Sequence, residues 1–359
     1  MMLRTTISAL ALAAAATGAH AQDAAQCGEV TLSDVGWTDI TATTATTAVV
    51  LEGLGYEPEV KVLSVPVTFT SMADGDIDVF LGNWMPTQSS EIAPYSEAGT
   101  IETVHKNLTG AKYTLATNAA GAALGIASYE DIAEHAEALD ATIYGIEPGN
   151  DGNKLILEMI ESDAFGLSDF EVKESSEQGM LAQVDRASKR DEPVIFLGWE
   201  PHPMNANYEM TYLEGGDDWF GPNLGGAEVY TVTRQGLVEE CPNLGAFLQN
   251  LEFSLEMENE IMGAILDEGM DPEEAAKEWL AANPEAVEPW LEGVTTLDGS
   301  DALPAVKGVI EADPRYRGRH RAPLPRSRTG PGFGFSAIFG PRPSDPRHRT
   351  PHPPTRRPR

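Results

Sequence analysis

The apolar and polar positions near the start of the chain predict a strand, a helix and a second strand. Residues 29–35 (EVTLSDV) have the pattern of a short, partly buried strand. Residues 40–56 (ITATTATTAVVLEGLGY) predict a helix that ends at glycine. Residues 59–65 (EVKVLSV) predict the next strand. A strand–helix–strand unit of this kind implies a parallel sheet, so the chain opens as an α/β protein.

A second set of strands and helices occupies residues 112–210. Its predicted helices are 128–140 (SYEDIAEHAEALD), 152–162 (GNKLILEMIES) and 177–191 (EQGMLAQVDRASKRD). Its predicted strands are 141–148 (ATIYGIEP), 170–176 (FEVKESS) and 193–199 (PVIFLGW). After this set, residues 227–234 (AEVYTVTR) predict a returning strand, followed by helices over 244–266 and 271–291. We therefore expect two α/β lobes, one made of residues 24–111 with 211–312 and the other of residues 112–210.

Both ends of the chain differ in composition from the part between them. Residues 1–21 contain one basic residue, a short apolar run and a small-x-small end (Ala19 to Ala21), which predicts a secretory signal peptide. No other run approaches the roughly 20 apolar residues of a membrane helix, so we expect an exported, periplasmic protein. Residues 314–359 hold 12 Arg and 11 Pro, and we expect this tail to be disordered. Translation out of frame past the true end would explain its composition.

The charge of the chain argues against nucleic acid as a partner. The formal net charge is −32, and residues 1–313 alone carry −43 because they hold 12 of the Lys and Arg and 55 of the Asp and Glu residues. Binding to phosphate backbones requires a basic surface, which this acidic body does not offer. Only the tail, with a charge of +11, is basic, and it has no amphipathic period.

Two similar phrases each place a tryptophan where a predicted strand ends. They are VFLGNWMP (79–86) and IFLGWEPHP (195–203), with Trp84 and Trp199 at equivalent places. Trp37 follows the first predicted strand, and Tyr113 lies where the chain passes between the two sets. Ligands of open α/β sheets bind beyond the carboxyl ends of strands, so these rings are candidates for one site. Taken singly, each ring fits a core role better than a ligand role, and it is their shared placement that favours a site.

An aromatic box is the expected partner of a quaternary ammonium ion. Such a cation cannot donate a conventional hydrogen bond, whereas aromatic faces replace water around it at about 0.5–2 kcal/mol per contact. The acidic Asp39 stands two residues after Trp37 and could serve the same ligand. It could also be the N-cap of the helix that follows, and the two roles are compatible.

Motifs of enzymes, cofactors and metal sites are not found. Asp74, Asp76 and Asp78 alternate as in a calcium loop, but Val79 and Met85 replace the required Gly and Glu, so we interpret this stretch as a turn. The seven His residues show no metal spacing, and we expect His202 to be structural. No nucleotide-binding glycine motif and no nucleophile elbow occur. An enzyme that oxidises a quaternary ammonium alcohol or hydrolyses its esters is therefore disfavoured, and we expect no cofactor.

The chain resembles the periplasmic choline- and glycine-betaine-binding proteins of ABC importers, and is most similar to the choline-binding members from rhizobia. The resemblance covers residues 27–312. It rests on long, unusual motifs: SDVGWTDITATTATT, DVFLGNWMPT, GAKYTLATN, YGIEPGNDGN, SSEQGMLAQV and FLGWEPHPMN. It implies a type II periplasmic binding protein fold with a cleft between two α/β lobes, and a monomer that delivers choline to an ABC permease. Osmoprotection is the implied physiological setting.

The resemblance also implies a set of site residues. The family's aromatic box corresponds to Trp37, Trp84, Tyr113 and Trp199, and the residues serving the other end of choline correspond to Asp39 and Asn150. Taken without the resemblance, Asn150 is a turn residue in a Pro-Gly-Asn-Asp-Gly stretch. Glycine betaine and trimethylamine N-oxide remain alternative ligands, because an aromatic box recognises only the methylated ammonium group. Asp39 would repel the carboxylate of betaine, which favours choline.

The chain has two cysteines, Cys27 and Cys241. A lone pair in an exported protein usually forms one disulfide, and the family's disulfide corresponds to the same two positions. Two free thiols are the alternative.

Overall fold

The computed structural model describes residue 23 and residues 25–311. The signal peptide predicted for residues 1–21 and the tail predicted for residues 314–359 lie outside this part. Nine strands of the described part form one sheet. They are β1 (Glu29–Asp34), β2 (Glu57–Val62), β3 (Val79–Met85), β4 (Ile101–Asn118), β5 (Thr142–Tyr144), β6 (Glu171–Lys173), β7 (Ile195–Glu200), β8 (Met210–Tyr212) and β9 (Gly226–Arg234).

The sheet is mixed, with parallel flanks and an antiparallel centre. Its strand order is β2-β1-β3-β9-β4-β7-β5-β6, and β8 pairs with β4 outside this path. Strand β1 is parallel to β2 and β3, and β5 is parallel to β6 and β7. In the centre, β9 and β4 run antiparallel to their neighbours. The parallel sheet predicted from sequence is therefore present on each flank, and the centre departs from it.

The long strand β4 joins two halves of the sheet. It spans 18 residues. Its first part pairs with β9, and residues 112–117 pair with β7. We call β2, β1, β3 and β9 the first half, and β7, β5 and β6 the second half. Strand β8 pairs with the end of β4, so residues 210–212 lie with the second half, although the sequence analysis began the return at residue 211.

Sixteen helices of the described part pack around this sheet. They are α1 (Thr38–Gly53), α2 (Val65–Asp74), α3 (Ser89–Ala98), α4 (Ala119–Ala123), α5 (Tyr129–Ile132), α6 (Asp151–Glu161), α7 (Glu177–Ser188), α8 (Met204–Asn207), α9 (Asp217–Phe220), α10 (Pro222–Gly225), α11 (Leu237–Glu240), α12 (Pro242–Asn250), α13 (Leu255–Leu266), α14 (Pro272–Ala282), α15 (Val287–Trp290) and α16 (Ala302–Glu311). Three short 3-10 turns accompany them, at Ala25–Cys27, Ala133–His135 and Ala164–Gly166.

The helix predicted over residues 128–140 is much shorter than expected. Ser128 and Asp131 form a capping box that starts α5, but this helix ends at Ile132 and continues only as a 3-10 turn. Asp140 and Ala141 then adopt left-handed backbone angles, with φ of 50° and 44°. Right-handed helix cannot pass through two such residues, so the chain turns there into β5.

The disulfide predicted between Cys27 and Cys241 is present. The two Cα atoms lie 5.8 Å apart, and 214 residues separate the cysteines in the sequence. The bond ties the turn before β1 to the residue before α12, and both side chains are buried. It therefore fastens the start of the described chain to the segment that follows the returning strand β9.

None of the helices among the described residues could span a membrane, because none combines the length and the apolar character that crossing a bilayer requires.

Candidate ligand-binding site

Three of the four predicted box residues form a contiguous group of rings at the centre of the sheet. Trp84 is near the end of β3, Trp199 is near the end of β7, and Tyr113 lies between them on β4, directly opposite Trp199 in the ladder. The ring centroids of Trp84 and Tyr113 are 6.1 Å apart at 65°, and those of Tyr113 and Trp199 are 6.4 Å apart at 83°. Such near-perpendicular arrangements leave ring faces available to a third partner.

Gly82 and Gly198, in the two similar phrases VFLGNWMP and IFLGWEPHP, are explained by close packing. A β-carbon on Gly82 would lie 2.8 Å from the side chain of Ile40 on α1. A β-carbon on Gly198 would lie 3.0 Å from Met210 on β8 and 3.1 Å from Ala116 on β4. Glycine is therefore needed in each phrase for close packing, and this packing positions the tryptophan that follows. Each phrase contains a cis bond to proline, at Met85–Pro86 and Glu200–Pro201.

Trp37 completes the box from the start of helix α1. It occupies the N-cap position, after the end of β1, and its side chain is buried. The indole N–H donates to Oε1 of Glu147 at 2.9 Å, which fixes the plane of the ring. The four rings line one cavity. Its lining residues are Trp37, Asp39, Trp84, Tyr113, Ile146, Asp151 and Trp199.

Asp39 lies in the first turn of α1, one residue inside the helix. The N-cap role considered from the sequence is wrong, since Trp37 holds that position. Asp39 is 1% exposed, and its Oδ1 has no hydrogen-bond partner among the described residues. Burial raises the pKa of Asp39 to about 8, and the nearby carboxylates of Glu177 and Asp34 add to the increase. A cation or a hydrogen-bond donor beside Asp39 would favour its ionised form and lower this pKa.

Asn150 is not among the residues that line the cavity, and it contributes to the box by holding Tyr113. Its side-chain oxygen accepts hydrogen bonds from the Tyr113 hydroxyl at 2.9 Å and from the Asn153 backbone N–H at 3.1 Å. The second bond makes Asn150 the N-cap of α6. A β-carbon on Gly152 would lie 2.1 Å from the Tyr113 hydroxyl oxygen, so this glycine lets the ring rest on the helix start.

A buried polar chain connects the two halves of the sheet beside the cavity. The carboxylate of Glu177, at the start of α7, accepts the backbone N–H of Thr38 at 2.8 Å and the Thr38 hydroxyl at 2.6 Å. Glu177 also lies 3.1 Å from Nε2 of His202. Nδ1 of His202 accepts a hydrogen bond from the Met204 N–H, so the ring proton is on Nε2. The Nε2–H group therefore donates a hydrogen bond to Glu177.

His202 in turn packs against the box. Its ring centroid is 4.7 Å from that of Trp199, at 73°. The expectation that His202 is structural agrees with these contacts. Together they hold Trp199 on the second half against the start of α1 on the first half.

Sequence analysis missed three acidic residues of this region. Asp151 lines the cavity, Glu147 orients Trp37, and Glu177 caps α1. Asp151 stands beside Asn150 within the turn that carried the family resemblance, so its position was a usable signal. Glu147 and Glu177 also lie in motifs that carried the resemblance, at residues 144–153 and 175–184. No local pattern indicated their roles, because their partners are distant in the chain and acidic residues are frequent in it.

Comparison with known proteins gives the family. The substrate binding domain of the ABC-type glycine betaine transport system matches this chain over residues 28–282. The chain belongs to this family. Its members are extracytoplasmic substrate-binding proteins of ABC transporters, with the periplasmic binding protein fold, and they are not enzymes.

Two relatives by sequence support this assignment over shorter stretches. A Chromohalobacter salexigens protein described as "Uncharacterized protein ORF1" is 51% identical over 132 residues, which are 37% of this chain and 85% of that protein. The glycine betaine/carnitine transport binding protein GbuC of Listeria monocytogenes is 30% identical over 176 residues, which are 49% of this chain and 57% of that protein.

Solved structures match over a longer range. An ABC-transporter choline binding protein in complex with choline is 65% identical, with a TM-score of 0.79, over 79% of this chain and 99% of that chain. A choline binding protein in an unliganded semi-closed conformation matches at the same identity and coverage with a TM-score of 0.74. Lactococcal OpuAC, closed on glycine betaine, is 25% identical, with a TM-score of 0.66 over 73% of this chain and 98% of that chain. The structure described here is thus more similar to the choline-bound form than to the semi-closed one.

Proposed function

We propose that this protein captures choline in the aromatic cavity and delivers it to an ABC permease. The observation that carries the proposal is the cavity itself, in which four aromatic rings surround a buried, unsatisfied carboxylate, Asp39. Further support comes from the 65% identity to a choline binding protein with choline bound.

The rings would bind the trimethylammonium group through cation–π contacts. Each aromatic face contributes about 0.5–2 kcal/mol, with the larger values in sites from which water is excluded. All four rings are at most 6% exposed, so the site meets that condition. The rings come from both halves of the sheet, and a cation held among them would join the halves.

Choline fits the polar side of the cavity better than a carboxylate ligand does. Its hydroxyl can donate to Asp39, and it can accept from the indole N–H of Trp84, which has no partner among the described residues. Glycine betaine is the second candidate, because the family is described by it. Its carboxylate would have to lie close to Asp39, and like charges in a buried site repel strongly. We therefore place choline first and glycine betaine and trimethylamine N-oxide after it.

We propose that the halves of the sheet correspond to two lobes that close on the ligand. As predicted, residues 24–111 with 211–312 would form one lobe and residues 112–210 the other. The pairing of β8 with β4 favours moving the second crossing to the start of β9, near Gly226. Trp37, Asp39 and Trp84 then belong to the first lobe, and the remaining lining residues belong to the second.

We also propose that the predicted signal peptide places this protein in the periplasm. Residues 1–21 would direct export, and the mature protein would act in the periplasm. Export agrees with the disulfide between Cys27 and Cys241, because such bonds form and persist in oxidising compartments.

Calorimetric titration of the purified protein tests the ligand. We expect choline to bind most tightly, followed by glycine betaine and trimethylamine N-oxide. Trp84→Ala serves as the cavity control, and it should lose most of the affinity. If glycine betaine binds more tightly than choline, glycine betaine becomes the proposed ligand. If none of the three compounds binds, the proposal is rejected.

A further inference from the structure

Two helices, one from each half of the sheet, begin at the cavity with an acidic residue. Asp39 is the second residue of the 16-residue helix α1, and Asp151 is the first residue of the 11-residue helix α6. Both side chains line the cavity. Only Asp39 has a role in the binding scheme so far, so the presence of Asp151 needs its own explanation.

Asp151 is buried without a full set of partners. It is 3% exposed, and its Oδ1 accepts the Asn150 amide at 3.3 Å. Its Oδ2 has no hydrogen-bond partner among the described residues. The nearest basic residue of the same helix, Lys154, is engaged in an ion pair with Glu91. A buried carboxylate with a free oxygen is costly unless a cation or a donor comes to it, so the cavity is where its partner is expected.

One backbone N–H at each of these two helix starts is already bound by a side chain of the protein. A helix N-terminus normally attracts anions through its unpaired N–H groups. Here the Thr38 N–H donates to Glu177, and the Asn153 N–H donates to Asn150. Each helix start also places an acidic side chain on the cavity wall, which opposes the attraction of the helix end for an anionic ligand.

We infer that Asp151 is a second specificity-determining carboxylate, which acts with Asp39 to select ligands of net positive charge over zwitterions. This inference rests on the proposed function. Choline carries a single positive charge, and both carboxylates can attract it. Glycine betaine brings the same ammonium with a carboxylate a few bonds away, so the two acidic residues attract one end of the molecule and repel the other.

The titration behaviour of the cavity agrees with this role. Burial raises the pKa of Asp151 to about 6, and the carboxylate of Glu91 contributes to the increase. Burial likewise raises the pKa of Asp39 to about 8. Thr87 and the charge of Lys154 act in the opposite direction on Asp151 and only partly offset the effect of burial. A cation bound in the cavity would lower the pKa of both residues.

The test measures whether Asp151 senses ligand charge. Wild type and Asp151→Asn are titrated at pH 8 with choline, with glycine betaine, and with 3,3-dimethylbutan-1-ol, in which carbon replaces the ammonium nitrogen. We expect Asp151→Asn to weaken choline binding by about 10-fold. Binding of the neutral alcohol should be unchanged or tighter, and the preference for choline over betaine should narrow. Asp169→Asn, the same change at an exposed position, controls for total charge.

The outcomes separate this inference from the proposed function. If wild type binds no choline, the proposed function fails. If wild type binds choline, and Asp151→Asn weakens choline, betaine and the neutral alcohol by the same factor, Asp151 is a packing residue and the inference is overturned. Should Asp151→Asn lose its folded circular dichroism spectrum, Asp151→Ser removes the same charge at a helix start that serine tolerates, and the same comparison decides.

Discussion

Replacing Asp39 by Asn should stabilise the ligand-free protein while it weakens choline binding. The side chain is 1% exposed, and one of its oxygens has no partner among the described residues. Burial, with a contribution from Glu177, raises its pKa from 3.8 to about 8. Asn keeps the shape of the side chain and removes the charge. The variant therefore loses the energetic cost of a buried carboxylate, and with it the attraction for a cation.

The size of the effect follows from the difference in pKa between the folded and unfolded states. At pH 7 the carboxyl group is ionised in the unfolded chain and mostly protonated in the closed, empty cavity. Each pKa unit corresponds to about 1.4 kcal/mol, so the interval from 3.8 to pH 7 corresponds to about 4 kcal/mol of lost stability. Opening of the cleft rehydrates the group, which makes this value an upper bound. We expect the variant to gain about 1–3 kcal/mol and to melt several degrees higher.

The pH dependence has a defined sign. Because the folded-state pKa of Asp39 is above its unfolded value, the folded state retains a proton that the unfolded state has lost. The stability of the ligand-free parent should thus fall as the pH rises from about 4 towards about 8, and this contribution should be constant above 8. Three other carboxyl groups face Asp39, from α7, β1 and α13: Glu177, Asp34 and Glu258. Asp34 and Glu258 also have raised pKa values, mainly through burial, so the variant should reduce the slope without abolishing it.

Thermal unfolding at pH 5, 7 and 8.5 without ligand measures the stability term, and choline titration at the same pH values measures binding. We expect the difference in melting temperature between Asp39→Asn and the parent to grow with pH. Asp169→Asn should follow the parent at each pH. A variant that melts below the parent at pH 8.5 would show that the carboxylate stabilises the fold, and the reasoning would then be refuted.

Three further predictions concern the rings, the polar chain and the disulfide. Trp84→Ala and Trp199→Ala should each weaken choline binding by about 5- to 150-fold, and the Phe variants by less, in calorimetric titration. Parent-like affinity would make these rings core residues. Glu177→Gln should raise the dissociation rate of choline by about 10-fold in stopped-flow measurements, because it removes the charged acceptor that joins the two halves. An unchanged rate would argue against that connection. Changing Cys27 and Cys241 to Ser should cost up to about 5 kcal/mol in denaturant unfolding, since the bond closes a long loop. Choline affinity should persist, because neither cysteine lines the cavity.

Local pattern was sufficient for most of the elements that carry the site. The strand–helix–strand opening appears as β1, α1 and β2, and both echoed phrases are strands buried along most of their length. Buried parallel strands have nearly continuous apolar runs, which makes them visible in a sequence. The strand β4 was not predicted, because its first part is polar and half-exposed and contains a Thr-Gly pair at residues 109–110. Its pairing with β9 and β7 is a property of the sheet, and no local signal announces it.

The aromatic members of the cavity were predictable for a similar reason. Tryptophan is rare in the chain, and three of the six residues follow predicted strands, so position and residue type together were informative. The rings of Trp84, Tyr113 and Trp199 meet as expected. Acidic residues number 56, and one more at a helix start carries little information. For Asp151 the only signal in the sequence was its place beside Asn150 in the family motif, and the fold then placed it on the cavity wall with an unsatisfied oxygen.

Aromatic residues of the cavity were easier to predict than acidic ones, and this matters because the rings do not distinguish choline from glycine betaine. Choline and glycine betaine share the trimethylammonium group, and an aromatic box contacts both in the same way. Discrimination must come from groups that meet the other end of the molecule, and we propose Asp39 and Asp151 for this role. One backbone N–H at each helix start, that of Thr38 in α1 and that of Asn153 in α6, already donates to a side chain of the protein. With an acidic side chain on each side of the cavity, the site would favour a ligand that carries a positive charge and no carboxylate.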